Sequence, residues 1–319
     1  MRRMTFQRMS NERGGVSVIV AVALVALLGF AAIVIDVGAL YAERAELQSG
    51  SDAAALAIAQ DCAVGACGVP SATAQTFANS NAKDNAANVD MPTFPTPTSV
   101  RVRATTRDSG GAGSLALMFA PVLGINEETV SATSTATWGS PAGGPAVLPL
   151  AFAPCVFDLD GGIQVIETHG SGASPCTSTS PSGATLPGGF SWLGGSTGSC
   201  EVQVDINTTV PSSTGASMPS GCSSVLVPSL VGETILLPLY DDKSGTGAGA
   251  SYHIYGWAAF TIHGWRFPSN AVNNTTIAGA TCTGSCNGII GEFITFSALD
   301  EGFTTGGPDL GATVVSLTE

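Results

Sequence analysis

Charged side chains are scarce in this sequence, and basic ones are scarcer than acidic ones. Only 11% of the 319 residues are charged, and 11 Lys and Arg stand against 24 Asp and Glu, for a formal net charge of −13. Four of the arginines lie within the first 15 residues, so the remainder of the chain is more acidic still. An acidic body repels phosphate backbones. We therefore expect no nucleic-acid partner.

Residue types that carry catalysis are also few. The sequence has no HExxH zinc motif and no GxxxxGK phosphate loop, and its three histidines are His169, His253 and His263. His253 and His263 have the same parity, so an unbroken strand would place both on one face. We favour the interpretation that both are ordinary strand histidines. The alternative is a metal site or an acid–base pair. We predict no catalytic, cofactor-binding or metal-binding residues, no cofactor and no enzymatic activity.

Cysteine, by contrast, is present in an even number. None of the eight cysteines lies in a CxxC pair, and no histidine lies near them at zinc-ligand spacing. An even set downstream of an apolar N-terminal run is typical of disulfides in an oxidising compartment, whereas free thiols are the alternative. Proximity in the sequence favours the pairs Cys62–Cys67 and Cys282–Cys286. Sequential pairing would add Cys155–Cys176 and Cys200–Cys222.

One long apolar run stands near the N-terminus. Val16–Ile35 is 20 residues without a charge, and about 20 apolar residues in a helix cross a bilayer core of about 30 Å. Because the arginines precede the run, the positive-inside rule places Met1–Gly15 in the cytoplasm and the rest of the chain outside. A cleaved signal peptide is the alternative, but its apolar region is typically shorter. We predict a single-pass protein of the cell membrane with an extracytoplasmic ectodomain.

Asp36 follows the apolar run directly, where the helix would leave the outer face of the membrane. A carboxylate that reaches water at the interface is the simpler interpretation, because an interfacial position lowers the cost of the charge. The alternative is a charge that pairs with a neighbouring helix, which makes Asp36 a possible assembly contact.

Helix-forming residues continue well beyond the apolar run, as far as Gln60. Gly50 is expected to interrupt the helix, and Ser51 or Asp52 to cap a second helix over Ala53–Gln60. The pattern predicts a membrane helix that is extended outward by a mildly amphipathic one.

Three short motifs occur in order along this N-terminal segment: RGG before the run, DVGALY at its exit and LQSGSDAAALA after it. Together they resemble the N-terminal segment of TadE/TadG-like proteins of the tight-adherence (Flp) pilus system. The resemblance implies a membrane anchor with a pilin-like extended helix over residues 16–60. The matching residues are Arg13, Gly14, Gly15, Asp36, Gly38, Tyr41, Leu47, Gln48, Asp52, Ala53 and Ala54.

The C-terminal half carries FSWLGG, ETILLPLYDD and YHIYGWAAFTIHGWRF, which are similar to a Cys-rich region of TadG-related bacterial proteins. Two features of the family are absent. Flp-type pilins carry a glutamate at a fixed distance after a cleavage glycine, and counting from Gly15 this position holds Val20. Longer TadG proteins have a DxSxS metal site, which DDKSG at Asp241 and RDSGG at Arg107 do not fit.

Residues 61–140 are expected to form a small α+β segment. Ser71 can cap a short helix. SVRVRATT, from Ser99, and the later TVSATSTATW alternate apolar and polar side chains as half-buried strands do. The apolar stretch Leu115–Leu123 between them is predicted to be a helix despite its proline.

A boundary by composition follows at GSPAGGP, residues 139–145. Beyond it, strand-like runs recur between Gly-, Ser- and Pro-rich stretches, so residues 146–319 are predicted to be a Cys-rich, all-β, sandwich-like ectodomain. The predicted fold class of the whole chain is α+β. The runs are Val147–Phe152, Glu201–Ile206, Glu233–Leu239, Tyr252–Ile262, Gly288–Ser297 and Ala312–Leu317.

The resemblance and the lack of a catalytic set together predict the function. We expect a non-catalytic, membrane-anchored accessory protein, pilin-like or concerned with assembly, of a bacterial Flp/Tad pilus. Its expected partners are the membrane and other pilus or pilus-assembly proteins. The alternative is an anchored ectodomain that binds a ligand or carries out hydrolysis in the cell envelope.

Overall fold

A computed structural model describes residues 13–168, 175–176, 180–183, 185–194, 200–213, 218–246, 249–268, 270–272, 281–299 and 302–318. The predicted α+β class is confirmed: a long apolar helix is followed by a β-rich part with several sheets. The helices are α1 (Arg13–Ala63) and α2 (Pro70–Asn81). The strands are β1 (Ala87–Val89), β2 (Thr93–Thr96), β3 (Ser99–Thr106), β4 (Leu115–Ala116), β5 (Glu127–Glu128), β6 (Ser131–Gly139), β7 (Pro141–Ala146), β8 (Leu150–Phe152), β9 (Gln164–Glu167), β10 (Phe190–Trp192), β11 (Val202–Asp205), β12 (Thr208–Pro211), β13 (Thr234–Ser244), β14 (Ser251–Phe267), β15 (Asn270–Val272), β16 (Gly288–Ile294), β17 (Phe296–Leu299), β18 (Thr304–Thr305) and β19 (Ala312–Leu317).

α1 is a single continuous helix, so the interruption predicted at Gly50 is wrong. Side chains of the apolar run, Val16–Ile35, are largely exposed, whereas Ala54, Ala55 and Ile58 in the second half are fully buried. By length and composition, α1 is the one helix among the described residues that is suited to cross a membrane.

Gly50 stays helical because α2 crosses α1 at this point. A Cβ built on Gly50 would lie 3.1 Å from the Cα of Ala78. The absent side chain lets the helices approach, and their packing offsets the roughly 1 kcal/mol that glycine costs inside a helix. α2 begins at Pro70, with Val69 as its N-cap residue in place of the predicted Ser71, because proline is favoured in a first helical turn.

Replacing Gly50 by leucine is expected to lower the free energy of unfolding by about 1–3 kcal/mol, because the new side chain must press on the backbone of α2. Denaturant unfolding of the full chain in detergent micelles, followed by tryptophan fluorescence, measures this. Gly38→Leu is the matched control, since a Cβ at Gly38 meets nothing within 4 Å. Equal stability of the two variants would contradict the close crossing.

The first sheet has the strand order β1–β3–β6–β19–β17, and β2 is also paired with β3. The alternation predicted for β3 is confirmed, because Val100 and Val102 are buried while Arg101 and Arg103 are exposed. The buried face packs against the second half of α1, in a cluster that includes Ile58. The sheet therefore covers the part of α1 that follows the apolar run.

The last strand of the chain returns to this first sheet. β19 pairs antiparallel with β6, and Val315 lies opposite Trp138. Val315 belongs to the core beside α1, whereas Val314 belongs to the core of the second half. The predicted ectodomain, residues 146–319, included β19, since no local pattern shows which sheet a strand joins. The predicted division of the chain near residue 140 stays a prediction.

The stretch Leu115–Leu123 is not the helix that was predicted. β4 and β5 pair as a short hairpin, and its tip contains a 3-10 turn at Ala120–Leu123. Proline is tolerated only in the first turn of a helix, where Pro121 lies. Gly124 then ends the turn in the left-handed region, with a φ of 84°. Pro121 and Gly124 therefore limit the helical part of this stretch to a single turn. We call residues 117–126 the hairpin tip.

The second half is built on a sheet of order β10–β8–β13–β14–β16–β9, with β12 and β15 also paired to β14. A three-stranded sheet, β11–β7–β18, packs on one face, where Val204 and Trp257 share a core. Phe260 and Trp265 belong to a second core on the other face. Residues 256–260 of β14 are buried on both faces, and their sequence, GWAAF, is continuously apolar.

The eight cysteines form four disulfides that follow one another along the chain. Cys200 and Cys222 lie in the aromatic core of the second half, whereas Cys62 lies at the end of α1. Non-reducing peptide mapping tests the individual pairings, which are Cys62–Cys67, Cys155–Cys176, Cys200–Cys222 and Cys282–Cys286.

Candidate functional site

Asp36 lies where the apolar run of α1 ends, and it is only 6% exposed. Its Oδ1 accepts a hydrogen bond from the backbone N–H of Met118 at 2.9 Å. Its Oδ2 accepts hydrogen bonds from the N–H groups of Phe119, at 2.9 Å, and Ala120, at 2.6 Å. All three donors belong to the hairpin tip. The carboxylate therefore ties the tip to α1.

The Asp36 carboxylate acts as a cap for the 3-10 turn. The first N–H groups of a helical turn have no carbonyl partner within the turn, and the turn's dipoles favour an anion at this end. The partners are 82 to 84 residues apart in sequence, so no local motif indicated the contact. The favoured interpretation, a carboxylate that reaches water, does not hold, because Asp36 is buried and bound to the hairpin tip. The alternative, a contact with a neighbouring helix, stays a prediction.

An apolar groove of about 650 Å³ lies between α1 and the hairpin tip. Asp36 and Glu128 are the charged residues in its wall. Such a lining suits apolar matter. The side chains that line it include Ala26, Gly29 and Phe30 from α1 and Phe119, Val122 and Leu123 from the tip.

Charged side chains return to α1 just beyond the groove, with Glu43, Arg44 and Glu46. Burial raises the pKa of the Glu43 carboxyl; a hydrogen bond with the Thr106 side chain opposes this, and the charges of Glu46 and Asp84 add to it. The change from apolar to charged side chains is the boundary expected where a helix leaves a membrane.

A polar network fastens the second half of α1 to β6. Gln48 Nε2 donates to Oδ1 of Asp52 at 2.8 Å and to Oγ of Ser134 at 3.0 Å. Ser51 Oγ lies 2.7 Å from Ser134 Oγ, and the Ser134 hydroxyl also donates to Asp52. Ser51 and Ser134 are fully buried, so these bonds satisfy groups that would be costly to leave unpaired.

Asp36 and the polar network of Gln48 and Asp52 lie in one segment that matches a protein family. Residues 14–61 match the Tad family model, described as "Putative Flp pilus-assembly TadE/G-like". This segment is TadE/G-like. The match confirms the resemblance predicted from the N-terminal motifs, and residues 62–319 lie outside it. No curated protein and no solved structure matches the chain.

The TadE/G-like segment coincides closely with α1, and the structure places its motif residues in two groups. Asp36, from DVGALY, holds the hairpin tip. Gln48 and Asp52, from LQSGSDAAALA, bind β6, and Ala54 packs on the first sheet. The sequence identified these residues by resemblance, and the structure supplies their contacts.

The two described histidines bind different carboxylates and form no pair. Nδ1 of His253 lies 2.6 Å from Oδ1 of Asp241, and Nε2 of His263 lies 3.1 Å from Oε1 of Glu292. The pairing of β14 shifts register on both edges between these residues, so β14 is not the unbroken strand on which equal parity would place both histidines on one face. Within the described residues, no group of three or more His, Cys, Asp or Glu side chains is placed to hold a metal. His169 lies outside the described residues.

A GxSxG pattern, typical of serine hydrolases, occurs at residues 194–198. That motif functions as a sharp turn between a strand and a helix. β10 precedes the pattern here, but the next described element is the strand β11, and Ser196 lies outside the described residues. The described surroundings therefore do not match the strand–turn–helix context that the motif requires.

Proposed function

We propose that the chain is a membrane-anchored accessory protein of pilus assembly in a Flp/Tad system, and that it acts without catalysis. The match of residues 14–61 to a pilus-assembly family carries the proposal. Two sets of hydrogen bonds between α1 and the rest of the chain support it: Asp36 binds the hairpin tip, and Gln48 binds Ser134 of β6.

Anchoring through α1 is supported by its apolar half. Val16–Ile35 is uncharged, long enough to cross a bilayer and largely exposed in the folded chain, so it has no core of its own to enter. The arginines before it favour a cytoplasmic N-terminus and an extracytoplasmic β-rich part.

An accessory role is favoured over that of a major fibre subunit. Val20 occupies the position at which the resemblance implies a glutamate in Flp pilins. In addition, the second half of α1 is covered by the chain's own first sheet, where Ala54 and Ile58 are fully buried. In the apolar half of α1, by contrast, most side chains are exposed, so neighbouring pilin-like helices can contact the helix there.

Deletion of the gene is expected to remove most surface pili while the major pilin is still synthesised, because an assembly factor acts after synthesis. Electron microscopy counts the pili, and immunoblotting of whole cells measures the pilin. The matched control is the deletion strain carrying the wild-type chain on a plasmid, which is expected to regain its pili. Normal piliation of the deletion strain would refute the pilus role and favour the ligand-binding or hydrolytic alternative.

A further inference from the structure

The hairpin tip lies within a long uncharged stretch. From Ser109 to Asn126 the sequence has no charged residue, while Arg107 and Asp108 precede this stretch and Glu127 and Glu128 follow it. The charges therefore lie at the base of the hairpin, and the tip has none.

Large apolar side chains of the tip are exposed rather than packed. Met118 is 74% exposed, Val122 90% and Leu123 72%. An exposed apolar patch of this kind on a folded chain marks a surface that is covered by something else, such as a partner or a membrane.

The position of the tip indicates what covers it. The groove beside it is lined by Gly29 and Ala26 of α1, which belong to the uncharged run. Gly29 precedes Asp36 by seven residues, about 10 Å along a helix axis. The tip therefore runs beside the uncharged run of α1, from the level of Asp36 toward Ala26.

Backbone N–H groups of the tip have hydrogen-bond partners within the protein, as an environment without water requires. In lipid, each backbone N–H needs a partner within the protein. Asp36 accepts hydrogen bonds from the N–H groups of Met118, Phe119 and Ala120, where the chain enters the turn. Carbonyl groups of the tip accept from others, which are the N–H groups of Leu117, Val122, Gly124 and Ile125.

From these observations we propose that the hairpin tip inserts among the acyl chains of the outer leaflet, as a second membrane contact beside α1. The proposal rests on the anchoring of α1 proposed above. In this arrangement, Asp36 accepts the hydrogen bonds of three tip N–H groups that would otherwise be unpaired in lipid. Two contacts with the membrane also fix the tilt of the β-rich part relative to the bilayer.

Site-specific fluorescence in vesicles tests the insertion. The full chain with Val122→Cys is labelled with the environment-sensitive dye NBD and reconstituted into phosphatidylcholine vesicles that contain some phosphatidylglycerol. Because the eight native cysteines are in disulfides, the new thiol reacts selectively. The 90% exposure of Val122 means that the substitution removes no core contact. Two quenchers are compared: doxyl groups on lipid acyl chains and iodide in the outer buffer.

Two matched positions serve as references. Val25→Cys lies in the apolar run of α1 and is 70% exposed, whereas Met91→Cys lies on a loop of the first sheet and is 82% exposed. We expect lipid doxyl groups to quench the label at Val122 as they quench it at Val25. We also expect iodide quenching at Val122 to be several-fold weaker than at Met91.

Each other outcome overturns the insertion. If the label at Val122 behaves like that at Met91 while the label at Val25 is quenched by lipid, α1 is an anchor and the tip is not in the membrane. If the label at Val25 also escapes the lipid quencher, the anchoring fails and the insertion fails with it. Protection of Val122 from both quenchers would mean that protein, such as a second copy of the chain, covers the tip.

Discussion

Asp36→Ala is expected to free the hairpin tip from α1. The three N–H groups that Asp36 binds, those of Met118, Phe119 and Ala120, lose their acceptor together. An unpaired N–H beside an apolar groove is costly, so the tip must move until water reaches these groups. Amide hydrogen exchange of the full chain in detergent micelles measures this, and we expect residues 118–120 to exchange at least about 100-fold faster.

Two further variants sharpen the experiment. Asp61→Ala removes an exposed carboxylate from the same helix and is expected to leave the exchange of residues 118–120 unchanged. Asp36→Asn keeps one acceptor oxygen and places an amide NH₂ where the second oxygen was, so an intermediate loss of protection is expected. Unchanged protection at residues 118–120 in Asp36→Ala would show that other contacts hold the tip.

Removal of the Cys200–Cys222 disulfide is expected to have the largest effect on stability. The bridge closes a loop with a sequence separation of 22 and lies among the aromatic side chains of the second half, including Trp192. Loop-closure entropy for such a length contributes roughly 3 kcal/mol, and the two alanines also leave a small cavity. The double variant Cys200→Ala/Cys222→Ala should therefore lose about 3–5 kcal/mol in free energy of unfolding.

The matched control is the double variant Cys62→Ala/Cys67→Ala. Its loop has a sequence separation of only 5, so its entropic loss is smaller, roughly 2 kcal/mol. Denaturant unfolding of both double variants, followed by tryptophan fluorescence, gives the difference. A Cys200/Cys222 variant that is as stable as the control would contradict the role assigned to the bridge.

Local patterns in the sequence predicted the parts of the fold that local physics determines. The uncharged run predicted the apolar half of α1, and the alternation of Val100 and Val102 with arginines predicted β3 with its buried face. Both signals come from residues within a few positions of one another. The strand-like runs of the second half have the same origin, but the run Gly288–Ser297 is divided into β16 and β17, which join different sheets.

Features that depend on distant contacts were missed or wrongly predicted. Glycine weakens an isolated helix, yet α2 crosses α1 at Gly50, where the absence of a side chain lets the two helices approach. The apolar stretch at Leu115–Leu123 has helical character, but Pro121 and Gly124 restrict it to one turn. The partner of Asp36 was missed because backbone N–H groups, which every residue carries, leave no signature in the sequence.

In the proposed function, the TadE/G-like segment serves pilus assembly through the junction between Asp36 and the hairpin tip. Surface pili counted on the deletion strain, after complementation with the wild-type chain, Asp61→Ala or Asp36→Ala at equal expression, test this most directly. We predict that the wild-type chain and Asp61→Ala restore piliation and that Asp36→Ala, still membrane-bound, does not. Full piliation with Asp36→Ala would contradict the account.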